Sequence, residues 1–197
     1  IFLHGKRDGH TASVRVANNH TNIIYMEKDG AVLLQKPLTA NAEDNLQDKS
    51  VLNVKDIITF AETVPLENIE PLIGRQIRCN TAIAEEGLRG NYGSNIGSVL
   101  LRTYGDDNVM VRAKAMAAAG SDARMNGCEM PVVINSGSGN QGMTTSLPVI
   151  EYAKELKASD ETLYRALTLA NLTTIHQKTS IGRLSAFCGA VSAGAGA

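Results

Sequence analysis

The chain has 197 residues, 43% hydrophobic and 20% charged, with a formal net charge of −1 at pH 7. This is the composition of a folded globular protein, and it argues against a nucleic-acid or anionic-membrane surface, which needs a basic excess. With no Trp, three Phe and five Tyr, aromatic platforms for stacked bases are not expected either.

Residues 1 to 36 read as β structure. Ser13 to Ala17 alternates, Asn18-Asn19 marks a turn, and Thr21 to Glu27 forms the next strand. Asp29-Gly30 is a hairpin signal, followed by Ala31 to Gln35. Three strands of a meander are predicted here, as part of a larger N-terminal α/β domain. Residues 37–50 turn polar and rich in Asn and Asp, a connecting loop. Beyond it the apolar period becomes helical: Val51, Leu52, Val54, Ile57, Ile58 and Ala61 recur at three and four residues. Pro65 and Pro71 bracket a short predicted helix, and a second runs from Ile73 until Gly87 and Gly90 end it. A Gly/Asn/Ser loop over 91–97 leads into a helix through Leu100-Leu101. An Ala-rich helix covers Asn108 to Ala119 and is closed by Gly120. Ser159-Asp160-Glu161 caps a further helix, whose wide apolar stripe predicts burial on most sides. A last helix is predicted from Ser180 through Leu184, Phe187 and Cys188. The fold class is therefore α+β: a small antiparallel β meander over 1–36, then a mostly helical domain over 51–197.

The stretch that stands out chemically is Asn135-Ser136-Gly137-Ser138-Gly139-Asn140-Gln141-Gly142. It follows the apolar residues Val132 to Ile134 and precedes a predicted helix at Val149, with Pro148 allowed in the first turn. Glycine permits positive φ and close backbone approach, while Ser, Asn and Gln supply neutral donors. The helix start adds unpaired N–H groups and a positive dipole end, which suit a carboxylate or phosphate. Three readings stay open: a plain connector, a nucleotide site and a small-carboxylate pocket. Gly137-x-Gly139-x-x-Gly142 matches the dinucleotide pattern, and Asp160 and Glu161 lie near the distance its acidic residue needs. The segment after Leu156 reads as a helix, however, so the second strand of that unit is missing. No Lys follows the glycines, which excludes the Walker phosphate loop.

Elsewhere the chemistry is sparse. Asp106-Asp107 and Glu85-Glu86 read as solvated charge. His4, His10 and His20 lack zinc spacing. Cys79, Cys128 and Cys188 stand far apart without a C-x-x-C pair, pointing to a reducing, cytoplasmic compartment. No apolar run approaches the ~18 residues of a membrane span, and no signal peptide is visible. The first residue, Ile1, and the apolar run Val191 to Ala197 are expected of a piece of a longer protein.

Several motifs together resemble the L-cysteine desulfidase family, a serine-dehydratase-alpha-like group. They are Gly9-His-Thr, His20-Thr-Asn-Ile23, Ser121-Asp-Ala-Arg-Met125, residues 135–142, and Arg183-Leu-Ser-Ala186 with Cys188. The resemblance implies a 4Fe–4S lyase that eliminates the β-substituent of L-cysteine or L-serine without pyridoxal phosphate. It implies that Cys188 is one of three cluster ligands, that residues 135–142 hold the substrate carboxylate, and that His20 is a further substrate-binding candidate. The family's catalytic cysteine and its other cluster cysteines belong to motifs absent from this chain. No catalytic residue is therefore assigned here, no cluster is expected to bind this piece alone, and the piece is expected to be inactive by itself. Cys79 resembles a family cysteine without an assigned role, and Cys128 reads as ordinary packing. The expected partner is an amino acid, with no nucleic acid and no membrane; a homodimer is compatible with the sequence. The runner-up is a non-catalytic amino-acid-binding module using the same loop. A nicotinamide-dependent oxidoreductase comes third and requires a parallel strand after residue 157.

Overall fold

The structure is a computed structural model that describes residues 1–18, 21–38, 48–179, 181 and 189–197. Its contacts divide the chain into two compact units, one holding the strands and the other the helices. The α+β class read from the sequence stands.

The first unit is an antiparallel meander in the order β1-β2-β3-β4, formed by Phe2–Arg7, His10–Val16, Ile23–Lys28 and Ala31–Gln35. It has one strand more than expected. β1 escapes the sequence pattern because Gly5 interrupts it and its second half is charged. Its turn carries the same Asp-Gly pair as the second hairpin. Asp8-Gly9 adopts φ of 52° and 82°, and Asp29-Gly30 adopts 52° and 81°, so two Asp-Gly pairs provide the positive φ that tight hairpins need. The two turns are tied together: the Thr11 N–H donates to Asp29 Oδ1 at 2.7 Å and His10 Nδ1 pairs with Asp29 Oδ2 at 2.9 Å.

The second unit contains α1 (Val54–Thr63), α2 (Leu66–Arg89), α3 (Ile96–Tyr104), α4 (Val109–Met125), α5 (Gly139–Glu155), α6 (Asp160–Lys178) and α7 (Ala190–Gly196). Asn53, Asn108 and Ser159 cap α1, α4 and α6 through side-chain acceptors, as short polar residues do at a helix start. The expected break at Pro71 does not occur. Pro71 lies in the second turn of α2, where it forfeits one hydrogen bond, while Ile69, Ile73, Ile83 and Ala84 keep a continuous buried stripe. Gly120 does not end α4 either. It is buried inside the helix, and a Cβ there would lie 2.7 Å from the Met143 sulfur. The helix predicted from Ser180 to Cys188 falls outside the described residues, apart from Ile181.

The core of this unit gathers Ile73, Ile83 and Ala84 of α2, Met116 and Ala123 of α4, Met143, Leu147 and Ile150 of α5, and Leu167 of α6. The alanines of α4 let its backbone approach its neighbours closely. A Cβ at Gly87 would overlap the Ala119 carbonyl, and one at Gly97 the Ala115 carbonyl at 2.5 Å. Small residues thus set the spacing between α4 and the helices beside it. No described helix is long and apolar enough to cross a membrane.

The Thr11 amide, followed by His10, holds the Asp29 carboxyl below the usual carboxylate range. A group with a depressed folded pKa stabilises above its unfolded value and loses that contribution as pH falls through the folded one. Acid titration followed by circular dichroism is expected to show a steeper loss of the sheet in the native protein than in Asp29→Asn.

Candidate carboxylate site at the start of helix α5

The polar octapeptide is not one loop. Its first half is a tight turn and its second half is the first turn of α5, which opens at Gly139, ten residues earlier than expected; Pro148 lies inside the helix. The turn is closed twice, by Ser138 N–H to Asn135 O at 3.0 Å and Asn135 N–H to Ser138 O at 3.1 Å. Ser136 and Gly137 both take positive φ, 47° and 82°, the requirement of a type I′ turn.

Two buried carboxamides fix this turn to the helices. Asn80 of α2, fully buried, accepts from Val133 N–H at 2.9 Å and donates to Val133 O at 3.2 Å and Ser146 Oγ at 3.0 Å. One side chain thereby pairs with a backbone residue as a neighbouring strand would. Asn135 donates to Asn171 O at 3.2 Å and Oδ1 at 2.9 Å, and its own oxygen accepts from Ser136 Oγ at 2.9 Å. Asn171 in turn exchanges hydrogen bonds with Gln76 at 2.8 and 3.1 Å. Asn135 therefore spends its carboxamide on holding the loop. Gly142 has a packing role as well: a Cβ there would overlap the Val133 carbonyl.

The helix start is largely covered: Gly139 is buried and Asn140 half-buried. Ser138 caps α5 by accepting from Gln141 N–H at 3.4 Å. The Gly139 and Asn140 N–H groups make no hydrogen bond to a described residue, as expected for the first amides of a helix. Arg124, at the end of α4, lies against Gly139 and donates to Asn140 Oδ1 at 3.1 Å. No carboxylate among the described residues pairs with it. The Gly139 and Asn140 amides, a helix dipole and a guanidinium together make a positive pole. Arg124 went unassigned in the sequence reading, although its stretch, Ser121 to Met125, was among the motifs that carried the resemblance.

Gln141, one residue further in, is 8% exposed, and its Oε1 is buried with no hydrogen-bond partner. In an S-x-x-Q capping box this oxygen accepts from the N-cap N–H. Here the Ser138 N–H is already given to Asn135. The carboxamide packs against Gly189, which could not carry a side chain there. On the next turn, Thr145 Oγ1 meets Thr174 Oγ1 of α6 at 3.1 Å. The four-residue link between α5 and α6 makes them antiparallel neighbours, so Lys178, one turn beyond Thr174, lies on the Gln141 side of that contact. Lys178 is 8% exposed.

Of the remaining candidates, His20 and Cys188 lie outside the described residues. Cys79 and Cys128 are free and half-buried. Cys128 packs on the core, and with Glu86 it raises the Tyr92 hydroxyl to about 12, the thiol being the larger cause. Among the described residues no three His, Cys, Asp or Glu converge on a point. The nucleotide reading loses its remaining structural support. The segment before Gly139 belongs to no sheet, and residue 157 is followed by α6.

The serine dehydratase alpha chain profile matches residues 13–197. The chain belongs to the serine dehydratase alpha chain family. Members similar to it include a UPF0597 protein of Desulfitobacterium hafniense, 57% identical over 93% of this chain and 42% of that protein. Another, from Lachnoclostridium phytofermentans, is 55% identical over 100% of this chain and 47% of its own length. A third, from Treponema denticola, is 48% identical over 99% and 46%. This serine dehydratase alpha chain homologue thus spans less than half the length of these curated relatives. No solved structure matches it.

Asn80→Leu strands both backbone groups of Val133 without partners. At about 1–3 kcal/mol per unsatisfied group, urea unfolding is expected to show a loss of about 3 kcal/mol. A loss below about 1 kcal/mol, within the range of ordinary substitutions, would show that Asn80 does not hold the turn.

Proposed function

We propose that this chain is the carboxylate-holding part of a lyase that removes the β-substituent of L-cysteine or L-serine. The observation that carries the reading is the positive pole at the start of α5: the Gly139 and Asn140 amides with Arg124 beside them and no described acidic partner. Membership of the serine dehydratase alpha chain family supports the reaction class.

The chemistry explains why such a pole is useful. Elimination requires loss of the proton on Cα, and the adjacent carboxylate opposes the negative charge that develops there. Two helix amides and a guanidinium placed on that carboxylate offset its charge before the reaction starts, a preorganised electrostatic contribution. They also fix the orientation of Cα against whatever group takes the proton. Loss of water or sulfide gives aminoacrylate, whose imine tautomer hydrolyses to pyruvate and ammonia. We place a 4Fe–4S cluster in the full-length protein, with Cys188 as one ligand and the others outside this chain. When bound, it supplies a Lewis acid for the leaving hydroxyl or thiol. In support, Gly189, the chain neighbour of Cys188, packs against Gln141 in the first turn of α5. No pyridoxal phosphate enters the scheme, and the compartment proposed is the reducing cytoplasm.

The test is anaerobic reconstitution of the full-length protein with iron and sulfide. Pyruvate with sulfide from L-cysteine, or pyruvate from L-serine, supports the proposal; neither product contradicts it. In the active protein, Arg124→Ala is expected to raise KM roughly 10- to 100-fold, the equivalent of a lost charge-assisted hydrogen bond. Arg124→Lys should recover part of that loss.

A further inference from the structure

We infer that the Gln141 carboxamide oxygen is the acceptor for the α-ammonium of the amino acid, and so selects amino acids over other carboxylates. The inference rests on the carboxylate reading of the α5 N-terminus given above and names the group that reads the other charge of the zwitterion.

Three observations lead to it. First, Gln141 Oε1 is buried without a donor in a residue that is 8% exposed. An orphaned buried acceptor costs free energy unless something supplies the donor. Second, its usual donor is taken: the Ser138 N–H, which a glutamine at this position of a capping box would bond, is given to the Asn135 carbonyl at 3.0 Å. Third, Gln141 is the third residue of α5, the position from which a helical side chain leans back toward the N-terminus. Gly189 packs on the carboxamide and limits its freedom to turn elsewhere.

An α-amino acid carries its carboxylate and ammonium on the same carbon. A site that recognises one therefore needs anion donors and a cation acceptor within one residue's width. Amides 139 and 140 with the oxygen of residue 141 meet that need within a single helical turn. A phosphate or a simple hydroxy acid brings no comparable donor and would leave Oε1 unpaired.

The experiment measures binding of L-alanine and of propionate to the full-length protein by calorimetry. Neither ligand has a leaving group, and they differ only in the ammonium. The native protein is expected to bind L-alanine at least roughly tenfold more tightly, the scale of one hydrogen bond to a charged group. Gln141→Met, which keeps the length and removes the acceptor, should weaken L-alanine to the level of propionate and leave propionate unchanged. Gln141→Glu, which keeps an acceptor, should retain the preference for L-alanine, and thermal melting of each variant reports whether it folds. Equal losses for both ligands in a folded Gln141→Met, or an undiminished preference, would overturn the inference. So would equal affinity for both ligands in the native protein. If neither ligand binds the native protein, or if ethylamine binds as well as L-alanine, the carboxylate reading itself fails.

Discussion

The arrangement depends on the Asn80 carboxamide. It reads both backbone groups of Val133 and the Ser146 hydroxyl at once, so an extended segment with no strand beside it is satisfied by one side chain from α2. Buried backbone groups must find partners, and here a single residue supplies them for the stretch leading to the turn. Asn135, Asn171 and Gln76 continue the same device across to α6. The result is a polar layer within the helical core. A fully paired network of this kind specifies one geometry, because any slip strands several buried groups together.

That rigidity serves the start of α5. The turn at Ser136-Gly137 brings the chain back on itself, and Ser138 caps the helix. Arg124 comes from α4, which packs closely on α5 because its inner face is alanine and glycine. The positive pole is therefore assembled from elements whose relative positions are set by close backbone packing. Side chains on a flexible loop would not give the same fixed spacing. This is the preorganisation that recognition of a small anion requires.

Most helices were legible because their apolar residues recur at three and four, and Ser159 also reads as a cap; Asn53 and Asn108 cap α1 and α4 in the same way. The differences all concern glycine and proline. Pro71 reads as a break, yet a proline in an early turn costs one hydrogen bond, and the apolar stripe beyond it outweighs that loss. Gly120 reads as a terminator but serves as a gap for the Met143 sulfur. Gly139 and Gly142 read as loop, and they are helical residues whose missing side chains admit Arg124 and the Val133 carbonyl. The sequence located the polar stretch but could not divide it into turn and helix. Long-range packing decides what each glycine is for, and no local pattern carries it. Arg124 was missed for the same reason, since it lies fifteen positions before Gly139 and only the α4–α5 packing brings it there.

The most direct measurement is a crystal structure of the full-length protein with L-alanine bound. The account predicts both carboxylate oxygens at the start of α5, within about 2.7–3.2 Å of the Gly139 and Asn140 nitrogens, with the Arg124 guanidinium alongside. A carboxylate bound elsewhere, with those two amides facing only protein, would contradict it.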